Sequence, residues 1–327
     1  MKNTNKKLIE ICNILNDQNF HDGTSIGKEL KISRTAVWKW VSKLQSYGID
    51  ITKVKGKGYL LKEPLILLDS KKIETLLKSE HFIIDTVESI DSTNNYFSGR
   101  ERSLLPHICI SEYQTNGRGR FSREWYSPFG KNIYFSIQYS INQDISQLGG
   151  LSLAVGTIVC TTIEKACNLP NRLMLKWPND VIYNGKKLAG VLIEIRAEVN
   201  GNCSVIIGVG INVNMPNTSK INFTQEWTSI MQITGASQDR NNICAILIDK
   251  LALGIEQYLI TGFKSYMPEW KKRDSLFGKM IQIQDGHEIF KGTAAGVDLH
   301  GHLLINLETN IKKAFAAGEA TLLKGNV

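Results

Sequence analysis

The chain has 327 residues, 42% hydrophobic and 21% charged, the make-up of folded globular units and enough length for two or three of them. No run of 18 or more apolar residues occurs, so no segment is expected to span a bilayer, and the basic start from Met1 to Lys7 leads into a stretch broken by Glu10, Cys12 and Asn13, a poor signal peptide. Of the formal net charge of +8, the first 62 residues hold 12 Lys+Arg against 5 Asp+Glu, a net of +7, so a polyanion partner is expected for that part alone.

Leu8, Ile11 and Leu15 open the chain at helical spacing. Thr24-Ser25 offers an N-cap for a helix of barely two turns ending at Leu30, and Lys31-Ile32 makes a turn. Ser33 caps a third helix that reaches about Tyr47 and ends at Gly48. Val37, Trp40, Val41 and Leu44 share one face of it, leaving Arg34, Thr35, Trp38, Lys39 and Lys43 on others. Residues 49–61 then alternate around Gly56 and Gly58, a hairpin carrying Lys53, Lys55 and Lys57. Short helix, turn, longer helix and basic hairpin make a winged helix-turn-helix pattern. Ser33, Arg34, Thr35, Trp38 and Lys39 are its candidate groove contacts, and the three hairpin lysines its candidate phosphate contacts.

Glu63-Pro64 marks a boundary, because proline disfavours helix in the residue before it. A linking helix is expected within 65–80 and a strand at 82–87. Ser92 or Thr93 is then expected to cap a helix. Strands follow at about 107–113 and 132–139, a long helix at 146–167, strands near 173–176, 188–196 and 203–213, and helices near 240–261 and 263–271. This mixture predicts an α+β layer rather than a doubly wound parallel sheet. From about Ser275 only short strands remain, at 278–284, 288–297, 301–306 and 312–317, as in a small β-barrel. Three domains are therefore expected, 1–64, 65–273 and 274–327. The six cysteines are scattered without Cys-x-x-Cys pairs or histidines at metal spacing, which predicts buried thiols in a reducing cytoplasm and no protein metal site.

Four segments could carry chemistry. Gly117-Arg118-Gly119-Arg120 fits neither phosphate-loop nor dinucleotide spacing, yet its glycines free the backbone and its arginines suit phosphate or carboxylate. Trp125 follows it and could stack on a base. Lys176-Trp177-Pro178-Asn179-Asp180 ends a strand, because proline cannot extend one centrally. In Lys186-Lys187 one lysine must face inward, since strand neighbours point to opposite sides. Gly208-Val209-Gly210-Ile211-Asn212 reads as a strand whose glycines admit close approach of other groups.

Taken in order with Ser92-Thr93-Asn94 and Gln114, these segments resemble the biotin–protein ligases over about 82–325, and the N-terminal module extends the likeness to the operon-repressor type. The resemblance implies a central mixed α/β ligase domain akin to the class II synthetases and an SH3-like C-terminal barrel. It implies that Ser92, Thr93, Asn94 and Gln114 line biotin, with Arg118, Gly119 and Arg120 closing over biotin and phosphates. Lys187 would meet the biotin carboxylate, with Lys187, Arg118 and Asp180 as the catalytic set. Arg120, Arg123, Trp125, Lys176, Asn179 and Asn212 would contact ATP and the adenylate. Implied substrates are ATP, with Mg²⁺, and biotin. Implied partners are a biotin carboxyl carrier protein, biotin operator DNA and a second copy of the chain. Phe121-Ser122 departs from the more basic or glycine-bearing continuation of the loop. Removal of residues 1–62 is expected to leave biotinylation largely intact. A ligand-sensing transcription factor without ligase activity and a lipoate–protein ligase relative remain as alternative readings.

Overall fold

The N-terminal helices form as their apolar spacing predicts: α1 (Lys6–Leu15), α2 (Gly23–Leu30) and α3 (Arg34–Ser46), followed by the wing strands β1 (Ile51–Val54) and β2 (Gly58–Leu61). The computed structural model describes residues 6–100, 103–141, 144–197, 203–216, 225–286, 288–308 and 311–323. The cap of α2 is Asp22, whose carboxylate accepts from Thr24 N and Ser25 N, so Thr24-Ser25 lies inside the helix it was expected to cap. Ser33 does cap α3, its Oγ accepting from Ala36 N. Leu8, Ile11, Val37, Val41 and Leu44 close the small core, which also takes in Leu65 and Phe129.

The linker is held rather than loose. Asn16, just after α1, accepts from Leu65 N and donates to Leu65 O, Arg240 donates to Ile66 O, and Asn241 donates to Leu67 O and accepts from Asp69 N. Only α4 (Ser70–Leu76) is helical within 65–80. The reason is that residues 65–69 have their backbone groups occupied by side chains from both flanking bodies.

The central domain is a seven-stranded sheet. Its strands are β3 (Ile83–Val87), β4 (His107–Ser111), β5 (Ile133–Ile141), β6 (Met174–Lys176), β7 (Asp180–Tyr183), β8 (Lys186–Ala197) and β9 (Cys203–Ile211). The order is β3-β4-β5-β9-β8-β7-β6, with β3 and β4 parallel and every other pair antiparallel, the mixed layer expected. One face packs on α5 (Leu151–Ala166) and α7 (Arg240–Thr261), through Val191, Val205, Ile207, Val209 and Ile211. The helix expected over 146–167 is broken at Gly149-Gly150. Gly150 is left-handed (φ +76°), and a Cβ there would lie 2.7 Å from the Phe263 ring. The turn α6 (Ile230–Thr234) and the helix α8 (Met267–Arg273) complete the domain.

The C-terminal strands β10 (Met280–Asp285), β11 (Glu288–Val297), β12 (Leu303–Leu307), β13 (Lys312–Phe315) and β14 (Glu319–Leu322) pair antiparallel in the order β13-β12-β11-β10-β14. Among the described residues no ladder joins β13 to β14, the two edges of this barrel-like sheet. Its core of Ile281, Ile283, Leu303 and Phe315 is continuous with that of the central domain, and Trp177 Nε1 donates to Gly301 O across the junction.

Candidate active site

The sheet face opposite α5 and α7 is bare where glycines stand. Gly190 of β8 pairs with Gly210 of β9, and Gly208 lies two residues before Gly210 on the same face. A Cβ on Gly210 would come within 2.5 Å of Trp125, one on Gly190 within 3.2 Å of the same ring, and one on Gly208 within 2.3 Å of Asn94 Oδ1. The glycines thus admit one indole and one amide onto the sheet. Both reaching groups keep an unused donor: Asn94 Nδ2 and Trp125 Nε1 are buried without a hydrogen-bond partner among the described residues. A buried donor left open is costly, which suits a ligand acceptor arriving there.

Ser92, Thr93 and Asn94 are all buried. Neither hydroxyl caps a helix; the chain continues instead as a 3₁₀ turn, Asn95–Phe97, with no side-chain cap. Thr93 N donates to Gln114 Oε1 at 2.9 Å, and Gln114 Nε2 donates to Ser127 Oγ at 3.0 Å. Ser136 of β5, which sequence reasoning missed, donates to Asn94 Oδ1 at 2.6 Å and lies 2.7 Å from Thr93 Oγ1. Its signal was present only as a serine inside an apolar strand.

The three loop arginines are engaged differently. Arg118 was expected to face substrate, but its Nη2 donates to Asn95 Oδ1 at 2.6 Å and to Glu194 Oε1 at 2.8 Å. Local sequence gives no sign of Glu194, which is far along the chain. Arg123 was expected on the nucleotide, yet it forms a two-pronged ion pair with Glu319 of β14. That pairing lifts Arg123 above and holds Glu319 below their ordinary ranges. Among the described residues Arg120 donates only to Gly318 O, at 3.2 Å. Burial depresses its guanidinium, with Asp180 and Glu319 opposing. Phe121 and Ser122 both sit in the left-handed region (φ 54° and 55°), where glycine is at ease and other residues are strained. The expected departure at Phe121-Ser122 therefore bears on backbone strain at the loop tip.

Lys187 is half-buried in the cleft and Lys186 is exposed, neighbours on opposite sides as expected; an irregularity in the β7–β8 register between Lys187 and Ala189 turns Lys187 toward the side of Gly190. Lys187 Nζ lies 2.7 Å from Asp180 Oδ1 and 5.3 Å from the centre of the Trp125 ring. Lys176 and Asn212 line the same cleft, as do Gly119 and Asn179. Two of these have structural duties that qualify their expected nucleotide contacts. Asn179 Nδ2 donates to Val191 O, and Asn212 Nδ2 donates to Thr228 O. The cleft, about 1430 Å³, runs between the loop, the glycine face and the C-terminal residues 318–322. All six cysteines are buried; burial pushes Cys167 up to about 11 and Cys244 up to about 12, so neither is a ready nucleophile.

At the other end of the molecule, Ser33, Arg34, Thr35, Trp38 and Lys39 are exposed together at the start of α3, Trp38 half so. Lys53, Lys55 and Lys57 are exposed along the wing. The opposite end of α3 meets the central domain, where Tyr47 stacks on Tyr113 at 4.1 Å and lies 5.9 Å from Phe129.

Three family models match in chain order: an HTH domain over residues 7–60, the biotin/lipoate A/B protein ligase family over 86–212, and the biotin protein ligase C-terminal domain over 276–323. The bifunctional ligase/repressor BirA of Salmonella typhimurium is 35% identical across 98% of this chain and 99% of its own length. The chain belongs to the BirA family of bifunctional biotin ligase/repressors. The Bacillus subtilis member is 31% identical over 95% of this chain and 97% of itself. The structure of the Aquifex aeolicus biotin protein ligase in complex with biotin and ATP aligns with a TM-score of 0.63 at 26% identity, covering 74% of this chain and 99% of that one. In this BirA-family chain the glycine face, the Gly-Arg loop, Trp125 and Lys187 all fall within the matched ligase segment.

Proposed function

We propose that this chain activates biotin with ATP to biotinyl-5′-AMP, transfers the biotin to a lysine of a biotin carboxyl carrier protein, and represses the biotin operon with the adenylate as corepressor. The observation that carries the reading is the pairing of two unused buried donors, on Asn94 and Trp125, with a cationic loop on one cleft. Support for the second activity is the exposed basic helix-and-wing surface in a family of ligase/repressors. Three functional units follow, 1–64, 65–273 and 274–327. Cytoplasmic residence suits the buried cysteines, and a homodimer suits a two-half-site operator.

In the first step a carboxylate oxygen of biotin attacks the α-phosphorus and pyrophosphate leaves. Two anions must meet, so positive charge has to be in place beforehand. Lys187 faces the biotin carboxylate and Arg120 the phosphates. Ser92, Thr93, Asn94 and Gln114 hold the ureido ring, with Ser136 fixing Thr93 and Asn94. Trp125 is at hand for the adenine. The described residues hold no cluster of three metal-ligating side chains. Mg²⁺ fits here only as it usually does, carried on phosphate oxygens with few protein ligands, and it would screen the phosphate charge. In the second step the acceptor amine attacks the acyl carbonyl and AMP leaves; Asp180 takes the amine proton while Lys187 steadies the carbonyl oxygen. The adenylate is a mixed anhydride that water destroys, so the loop must cover it.

Incubation with biotin, Mg-ATP and a carrier domain, read by intact mass, tests the reading. Biotin added to the carrier is the expected result; lipoate added in its place, or no transfer, would contradict it.

A further inference from the structure

The loop presents three arginines and gives each a different partner. Arg123 is tied to the C-terminal module through Glu319, at the exposed rim. Arg118 is tied to the central sheet through Glu194 and to the turn after Asn94 through Asn95, and the Arg118–Glu194 pair is about two-thirds buried on both sides. Arg120 has no carboxylate within ion-pair distance among the described residues and hydrogen-bonds only a backbone carbonyl. Of the three it alone has its charge free for a ligand.

Glu194 continues the row Gly190–Leu192 on the sheet face that the loop covers, because alternate residues of a strand share a face. Trp125 rests at the glycine end of that row and Arg118 reaches its Glu194 end, so the loop is pinned at two points along one strand. Asn95 is itself oriented: its Nδ2 donates to Asp91 Oδ2 at 2.6 Å, which leaves Oδ1 facing the guanidinium. Such a pin has a physical purpose. Phe121 and Ser122 hold the loop tip in left-handed conformations that are strained for residues with a side chain, and charged hydrogen bonds at the base can offset that cost.

We propose that Glu194 and Asn95 are positioning residues that anchor the Gly-Arg loop through Arg118 and so hold the loop, with Arg120, toward the cleft. This rests on the adenylate-forming reading above. Neither residue touches the reacting atoms; each acts through the loop.

The test uses the full chain. Biotinyl-5′-AMP is formed with biotin and Mg-ATP, excess ligand is removed by rapid gel filtration, and loss of the bound adenylate is followed by mass spectrometry. Glu194→Gln keeps the shape and loses the charge. It is expected to shorten retention by ~10-fold or more, with the thermal midpoint and the initial rate of pyrophosphate release nearly unchanged. Glu194→Asp keeps the charge on a shorter stem and is expected to hold retention well above that of Glu194→Gln, which a role of Glu194 in shape alone would not allow. Tryptic cleavage within 117–124 of the ligand-free chain supplies a readout independent of the reaction, and should accelerate in Glu194→Gln, and less so in Glu194→Asp and in Asn95→Ala, which removes only the neutral acceptor. Unchanged retention and unchanged cleavage in Glu194→Gln would overturn the proposal, as would a Glu194→Asp variant no better than Glu194→Gln. A wild-type chain that forms no adenylate would overturn the functional reading instead, and the cleavage pattern would then decide the anchor.

Discussion

Lys187 and Asp180 hold one another on the cleft floor, and this changes what removing either should do. Lys187→Met takes away the charge proposed to face the substrate carboxylate and strands Asp180, whose side chain is only 13% exposed. Adenylation is expected to fall by ~10³-fold and the thermal midpoint to fall with it. Adding Asp180→Asn should return the midpoint without returning the rate, which calorimetry and pyrophosphate release measure separately. Lys186→Met, on the exposed side of the strand, should alter neither. A second residue-scale expectation concerns Glu88, whose two carboxylate oxygens are buried without a hydrogen-bond partner among the described residues. Burial pushes its carboxyl up to about 7, with Lys43 of α3 opposing and Glu112 adding. An unfolded glutamate titrates near ~4.3, so the folded chain keeps a proton that the unfolded chain has lost. The stability this gives is full below the unfolded value and is lost as the pH rises through about 7. Glu88→Gln should therefore flatten the fall of the midpoint with pH and raise it by ~2–4 °C on the alkaline side. A melting series across pH showing the same slope in both proteins would contradict this.

At the scale of elements, the strands that build the cleft were legible because apolar alternation is local. Their partners were not. Gly208 and Gly210 signalled close approach, but nothing near them names Asn94 and Trp125 as the groups that approach. β7 was hidden because Asn179-Asp180 looks like a turn, and β14 because residues 319–322 are too short and polar to stand out. The loop arginines were read as substrate contacts from residue type and from the family resemblance, whereas two of three are held by acids distant in sequence. Gly210→Ala tests the element directly. The new methyl would sit 2.5 Å from Trp125 and force the indole off the sheet. Adenylate affinity, by isothermal titration, should weaken by ~10-fold or more, and tryptophan emission should shift. Gly190→Ala, with a looser 3.2 Å approach, should do less.

For the whole molecule, the three bodies were legible from charge and pattern, while their coupling was not. The expectation that residues 1–62 can be removed without harm conflicts with a shared core: Phe129, just beyond the Gly-Arg loop, is fully buried among N-terminal apolar residues, and Tyr113 stacks on Tyr47. Deletion of residues 1–64 should abolish DNA binding, lower the midpoint and weaken biotin binding, because Tyr113 adjoins Gln114 of the cleft and Phe129 lies two residues from Ser127, whose Oγ accepts from Gln114 Nε2. Thermal melts and biotin titrations of the truncated chain check this, and indifference of both would contradict it. The concentration of +7 on one module should also make DNA affinity fall steeply with salt.

The central claim, that one cleft makes the adenylate and that the adenylate governs DNA binding, is tested most directly by a gel-shift titration of the full chain on DNA from the promoter region of its own biotin genes. Binding should strengthen only when biotin and Mg-ATP are present together, since neither alone yields biotinyl-5′-AMP. Affinity that ignores the pair, or that responds fully to biotin or ATP alone, would contradict the claim.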